Sequence, residues 1–491
     1  MPSVNVRDTF EALEPLDLKQ CQTVGELVRA MEKCSFVARM IGEVAETLRR
    51  WFLNCYRGGE LVDYIHMILP PSFCGKYLGV FGRHPFLPYR GDPEEINRVG
   101  QMIIIGRFGE KDEVAVSHRS PENTIFINRE GLCIPGQVQD GYFPNVVFED
   151  PRFVLPVISA ALDEWLGIKT WTVTELFKTL APYGGIAAEV VEGARVLKAM
   201  IDDPDCTVFM TASGAMSVAQ MDYLFCDMIE DKMIQYLATT GALMAHGLVK
   251  STGCRQFKHR PEHGDALYAE QKINRVTDTL EPEENFSHIN EVLNLVLDSF
   301  DSCQPISPNI LHRAIGRHLV DNFGTSRGIL KSAFQHNVPV CVPAFVDSEI
   351  GNDVFCHNAI RAIRERGRRP KIIMDLELDS KMLMNLALSS KKMGLFSIGG
   401  GVPRNNTQNV APLIEIYRDR LGDDLSDRYF TYGCRICPDP MWHGHLSSCT
   451  YSENESWRKM KDVRTSGNFA EVHADATATW PFILKWVMEN R

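Results

Sequence analysis

No uninterrupted apolar run in the 491 residues reaches the ~18 needed to cross a bilayer, so no membrane span is expected. Positive charge is in deficit. The 52 Lys and Arg against 63 Asp and Glu leave a net charge of −11. That disfavours a nucleic-acid partner, which attracts basic patches, and suits a polycationic one. The opening MPSVNVRDTFEALEPLD is acidic and has no apolar core, so no secretory leader and a cytoplasmic location are expected. The 14 cysteines include no two pairs at metal-ligand spacing. They sit inside apolar segments, as Cys341 does in VPVCVPAF and Cys226 in LFCDMI. They read as reduced thiols used as small hydrophobes. Cys434 and Cys437 form a CxxC within the alternating run RYFTYGCRIC, where a strand sends the two thiols to opposite faces. His443 and His445 lie near by, but no metal is expected. The remaining composition, 44% hydrophobic and 23% charged, is that of an ordinary globular protein. The length suits about three domains, or one large α/β domain with additions.

Residues 18–52 read as helical, and Thr23 with Glu26 makes a capping box. A similar passage recurs at 168–201. Both contain TV-x-EL, a break of small residues and an amphipathic helix with an AE pair. This is either an internal repeat or a chance likeness of two helical hairpins. Between them, turn signals (LPPSFCG, GRHPFLPYRGDP, PENT) alternate with short β-like runs (MIIIGRF, VAVSH, TIFIN). That text predicts an inserted α+β accessory module. The expected organisation is an N-terminal helical segment over 1–55, the module over 56–165 and a main domain over 166–491.

From Asp203 strands and helices alternate. CTVFMTAS, IQYLATTG, VPVCVPAFVD, KIIMDLE, GLFSIGG, RYFTYGC and AEVHADA read as strands. Met216 to Met233, Ser287 to Phe300 and Ile310 to Phe323 read as helices. This predicts a doubly wound, mostly parallel Rossmann-like α/β sheet, with ligands at the carboxyl ends of its strands. Those ends are rich in hydroxyls and carboxylates: MTASGAMS, ATTGALMAHG, VDSEIGND and HADAT. Such groups suit a nucleotide with ribose hydroxyls, while any single Asp there also serves as a helix N-cap.

Gly394 to Met460 concentrates the chemistry. GLFSIGGG reads as a buried strand ending in a turn where Gly399, Gly400 and Gly401 permit close approach of a ligand. Val410, Leu413, Ile414, Tyr417 and Leu421 share one face of the following helix. Strand, glycines and helix together receive phosphates at a helix N-terminus. ENESWRKM then offers a carboxylate (Glu453), an aromatic face (Trp457) and an amine (Lys459) within seven residues. Such a set holds a cationic amine and attacks an imine carbon. The plain alternatives are a tight turn and a solvated surface lysine.

The strings GGGVPRNNTQN, YGCRICPDP, GHLSSCTYSENESW and AEVHADATATWP resemble the deoxyhypusine synthase family, and its bacterial-type deoxyhypusine-synthase-like branch most. The resemblance covers about Val196 to Glu489. It implies an NAD-dependent aminobutyl transfer from a polyamine such as spermidine to an acceptor amine, through an imine on Lys459. Trp457 would wall the amine pocket, Glu453 bind the amine and Asn409 contact it. Ser213, Ser217, Thr240, His246, Asp347, Gly400, Gly401 and Asp475 would meet NAD. The family also implies a homo- or hetero-oligomer, a tetramer with sites at subunit contacts.

Three positions depart from the family. Asn405 stands where protein-modifying members have a catalytic His, Leu446 where an aspartate grips the far amine of spermidine, and Arg458 in place of a Gly between Trp and Lys. The first two favour homospermidine-type chemistry on a free diamine over modification of a translation factor. The third leaves a non-catalytic regulatory paralogue in view. Arg458 is also a possible cationic neighbour to lower the Lys459 pKa.

Overall fold

The computed structural model of the protein describes residues 5–57, 60–68, 86–88, 101–105, 123–127, 145–260, 262–300, 304–364, 370–422 and 424–491. Its main sheet has six strands: Cys206–Ala212, Tyr236–Ala238, Val340–Cys341, Lys392–Ile398, Phe430–Ile436 and Phe469–Val472. All pair in parallel. Numbered along the chain, they lie in the order third, second, first, fourth, fifth, sixth. Alternation divides their side chains. Val208, Met210, Phe396, Ile398 and Cys434 enter one core, and Phe209, Tyr236, Leu395 and Phe430 another. Both faces are therefore covered, as a parallel sheet requires. Each such large side chain contributes about 1.5–3 kcal/mol by burial.

Several boundaries differ from the sequence reading for local reasons. VPVCVPAFVD pairs only over Val340–Cys341, and Pro343, two residues on, has no N–H to extend the ladder. KIIMDLE is not a strand. The backbone N–H and C=O of Ile372 are taken by the Asn358 amide at 2.9 and 3.0 Å, and only an isolated bridge, Ile306 to Met374, remains. The helix read from Met216 begins at Asp222, after Gly214 and Gln220 adopt positive φ. The polar section after residue 252 contains an antiparallel sheet of Phe257–Lys258, Thr279–Pro282 and Ile273–Val276, in that order, which the sequence reading did not anticipate.

The first 165 residues differ more. Helices Val24–Met31 and Phe36–Asn54 follow the expected pattern, and the Thr23–Glu26 capping box is present. Within the accessory module, the described residues include a sheet whose parallel pairing the turn-rich text did not suggest. Its strands Ile65–Ile68, Phe86–Pro88, Met102–Ile105, Thr124–Ile127 and Val146–Val147 form a second all-parallel sheet, in the order second, first, third, fourth, fifth. Phe86–Pro88, inside the turn signal GRHPFLPYRGDP, is one of these strands, while VAVSH lies outside the described residues. Parallel strands need crossovers, so turn residues between short apolar runs do not signal hairpins here. Helices Pro151–Trp165 and Ala476–Glu489 are apolar on nearly every side and buried accordingly. One continuous core joins the two sheets through them.

Candidate active site

Thr450 caps the short helix Tyr451–Ser456 by accepting the Glu453 N–H, which leaves the Glu453 carboxylate exposed in the first turn. After the helix, Arg458 adopts a φ of +54°. That left-handed turn is easiest for glycine. It sends the Arg458 side chain outward to an ion pair with Glu415 and Lys459 inward, to 7% exposure. The Lys459 N–H donates to the Asn454 carbonyl at 3.0 Å, and its carbonyl accepts the Phe430 N–H at 3.0 Å. Its Nζ donates to Asn405 Oδ1 at 3.0 Å and lies 5.7 Å from the centre of the Trp457 ring. The Arg458 turn therefore seats Lys459 in the interior.

Asn405 comes from the helix Gly401–Gln408, which leaves the carboxyl end of the fourth main strand. This helix and the 446–459 segment enclose a cavity of about 350 Å³, lined by Gly401, Asn405, Asn409, Leu446, Glu453, Trp457 and Lys459. Trp457 and Leu446, 68% and 58% exposed, stand at its mouth. Sequence residues separated by more than fifty positions thus meet around one amine.

Arg404 also lines this cavity, and the sequence reading passed over it. It is 1% exposed, donates Nη1 to the Cys449 carbonyl at 2.8 Å and lies 5.0 Å over the Tyr451 ring. Its Nε and Nη2 have no partner among the described residues. Burial pushes the Lys459 ammonium below its ordinary pKa, and the Arg404 charge lowers it further against an opposing pull from Cys449. The cationic neighbour is therefore Arg404, not Arg458. The available signal was its place one residue before Asn405, on the helix that the glycines open.

The expected cofactor residues divide. Ser213 Oγ accepts the Gly400 N–H at 3.0 Å and lies 3.3 Å from the Ile398 carbonyl, which ties the first strand's end to the fourth's. A Cβ on Gly399 would stand 2.0 Å from Ser213 Oγ, and one on Gly400 2.4 Å from Ser447 Cα, so both turns need glycine. Gly401, at φ +60°, has open space where a Cβ would point. Thr240 caps the helix Gly241–Ser251 and donates to the Gly214 carbonyl at 3.0 Å. The exposed Asp347 follows the third strand, its carbonyl against Gly241. Ser213, Thr240, Asp347, Gly400 and Gly401 therefore gather at the carboxyl ends of four adjacent strands. The glycine cradle, the open approach at Gly401 and the first N–H groups of its helix fit a phosphate-bearing ligand.

The other three are engaged in helix packing and capping. Ser217 is fully buried and donates to the Leu243 carbonyl at 2.8 Å. His246 packs on Phe286 and sits 3.3 Å from the buried Glu281. Asp475 caps the Ala476–Glu489 helix, accepting the Thr477 N–H at 2.8 Å. Its pKa is raised by burial. The thiols of Cys434 and Cys437 are both buried, meet the carbonyls of Gly193 and Ser447, and have raised pKa values from burial. No cluster of three metal-ligating side chains occurs among the described residues.

The sequence model described as deoxyhypusine synthase matches residues 175–487, more than half of the chain. The chain belongs to the deoxyhypusine synthase family. It is 28% identical over 320 residues to a probable deoxyhypusine synthase 2 of Methanosarcina acetivorans, covering 65% of this chain and 87% of that protein. It is 25% identical over 328 residues to a deoxyhypusine synthase-like protein of Chlorobaculum parvum, covering 66% and 89%. Among solved structures, a putative deoxyhypusine synthase from Entamoeba histolytica aligns at a TM-score of 0.43 with 16% identity, over 64% of this chain and 92% of that one. The family is one of aminobutyl transferases, and its matched region begins after both the N-terminal hairpin and the second parallel sheet.

Proposed function

We propose that the protein is an NAD-dependent aminobutyltransferase that forms an imine on Lys459 and passes the four-carbon unit to a free diamine, as in homospermidine synthesis. The observation that carries this is Lys459 itself: inward-facing, depressed in pKa by burial and by Arg404, and held by Asn405 beside Trp457. A neutral amine is what imine formation needs. Glu453 and the Trp457 face suit a bound ammonium, and Asn405 orients an amine without removing its proton. Leu446 at the mouth offers no anchor to a distal ammonium, so a four-carbon diamine fits better than a longer triamine.

The strand order third, second, first, fourth, fifth, sixth is that of doubly wound, Rossmann-like dinucleotide sheets, whose ligands lie where the order reverses. Here that is the crevice between Ser213 and the Gly399–Gly401 turn. NAD bound there would supply a hydride acceptor and return the hydride. Gly400, Gly401, Ser213, Thr240 and Asp347 would hold it. A cytoplasmic location and assembly into an oligomer accompany this reading.

Incubation of the protein with NAD and either putrescine or spermidine, each with and without the translation factor, with products read by mass spectrometry, tests the proposal. Homospermidine from putrescine is the expected product. Transfer from spermidine to a lysine of a translation factor, with none to putrescine, would assign the protein-modifying role instead.

A further inference from the structure

The two parallel sheets are built alike. In the second half the hairpin Val173–Leu180 and Gly185–Asp202 precedes the sheet, and the helix Ala476–Glu489 follows its last strand. In the first half Val24–Met31 and Phe36–Asn54 precede, and Pro151–Trp165 follows. Removing the third strand, Val340–Cys341, from the order of the main sheet leaves the order of the smaller one.

Caps, prolines and the glutamates that tie the hairpins repeat at matching positions. Thr23 with Glu26 and Thr172 with Glu175 form equivalent capping boxes. Asp150 and Asp475 cap the closing helices, and Pro156 and Pro481 each stand six residues later. Fourteen residues after each cap lies a glutamate. Glu164 accepts the Thr23 hydroxyl at 2.8 Å and the Gly25 N–H at 3.3 Å. Glu489 accepts the Thr174 N–H at 2.8 Å and its hydroxyl at 2.7 Å. The next residues, Trp165 and Asn490, donate to Gly25 and Thr174 respectively.

Contacts between the halves are reciprocal as well. The start of helix Phe36–Asn54 reaches the second residue after the cap of the other half, Ala38 N–H donating to Thr477 Oγ1 at 3.1 Å. The start of helix Gly185–Asp202 meets the equivalent Arg152, whose guanidinium would lie 2.1 Å from a Cβ on Gly185. A reciprocal pattern of this kind is that of an isologous pair.

We propose that residues 24–165 are a reduced second copy of the fold of residues 173–489, and that they occupy the place of a dimer partner. The face made by helices Val173–Leu180, Gly185–Asp202 and Ala476–Glu489 is then a self-association surface filled in cis by the chain's own first half. By this reading the copy lacks an imine site: the sequence between its last two described strands, 128–145, contains no lysine. Each chain therefore holds one reactive lysine and one structural partner.

Calorimetry of the intact chain tests this with Glu164→Gln, Glu489→Gln and the milder Thr23→Ser and Thr174→Ser. An interlocked pair unfolds in a single transition that each glutamine variant lowers by about 2–4 °C. Two transitions, with Glu164→Gln moving only one and Glu489→Gln only the other, would overturn the pairing. If neither glutamine variant folds, the serine variants are read the same way. A crystal structure in which the two halves fail to superpose by a rotation near 180° would overturn the copy. The missing imine site rests on the proposed function and has its own readout. Borohydride trapping with NAD and putrescine should give one adduct per chain. A second adduct within residues 24–165 contradicts that part, whereas no adduct at all counts against the proposed function and leaves the calorimetric result standing.

Discussion

Asn405→Asp places a carboxylate where an amide oxygen now lies 3.0 Å from Lys459 Nζ. Shape hardly changes, so the effect is electrostatic. Opposite unit charges about 4 Å apart attract by about 4 kcal/mol at an effective dielectric near 20. The cavity mouth is open at Trp457 and Glu453, and screening there leaves roughly half, about 2 kcal/mol. At about 1.4 kcal/mol per tenfold, the neutral fraction of Lys459 falls about 30-fold at neutral pH. The sign follows from the chemistry. Only the neutral amine adds to a carbon centre, so the wild-type rate rises with pH until Lys459 has lost its proton, below the ordinary lysine range. The variant's rise should be displaced to higher pH, with the plateau recovered. The assay is the rate of adduct formation in a single turnover across pH. A uniform loss with an unshifted profile would refute the electrostatic account of this lysine.

Arg404→Gln removes the cation that helps hold Lys459 neutral, so the same upward displacement of the pH profile is expected, and Arg404→Lys should largely restore it. Trp457→Ala should weaken amine use by about 0.5–1 kcal/mol, the low end for a cation–π contact because the ring is exposed; this reads as a two- to five-fold rise in KM. Arg458→Gly should leave activity intact and change stability by less than about 1 kcal/mol. The easier left-handed turn offsets an exposed ion pair of little worth, and thermal denaturation beside turnover checks it.

The main sheet was legible because buried parallel strands are near-continuous apolar runs, as in LFSI and VFMTA, and glycine punctuates their ends. Lys459, Trp457, Glu453, Asn405 and Asn409 were found because two short strings carry them. Arg404 was not, since an arginine in a polar helix carries no local mark of being buried, and its role arises only when the 446–459 segment folds over it. Ser217, His246 and Asp475 share the strand-end context of the cofactor candidates. Helix packing and capping, which pattern does not reveal, also engage them. The helix expected after the glycines is the separate Val410–Leu421, which follows Gly401–Gln408, yet Leu413, Tyr417 and Leu421 remain exposed while Val410 and Ile414 are buried. Periodicity fixes a shared face but not what covers it. The pairing of the second sheet was not legible because its described strands are two to four residues long, too short for a period-two test to separate parallel from antiparallel use.

The most direct test of the account is to trap the intermediate. The protein is incubated with NAD and putrescine, reduced with borohydride, digested and mapped by mass spectrometry. An aminobutyl mass on the peptide carrying Lys459, absent without NAD and absent in Lys459→Ala, is the predicted result. The same mass on another lysine, with Lys459→Ala still turning over, would contradict it.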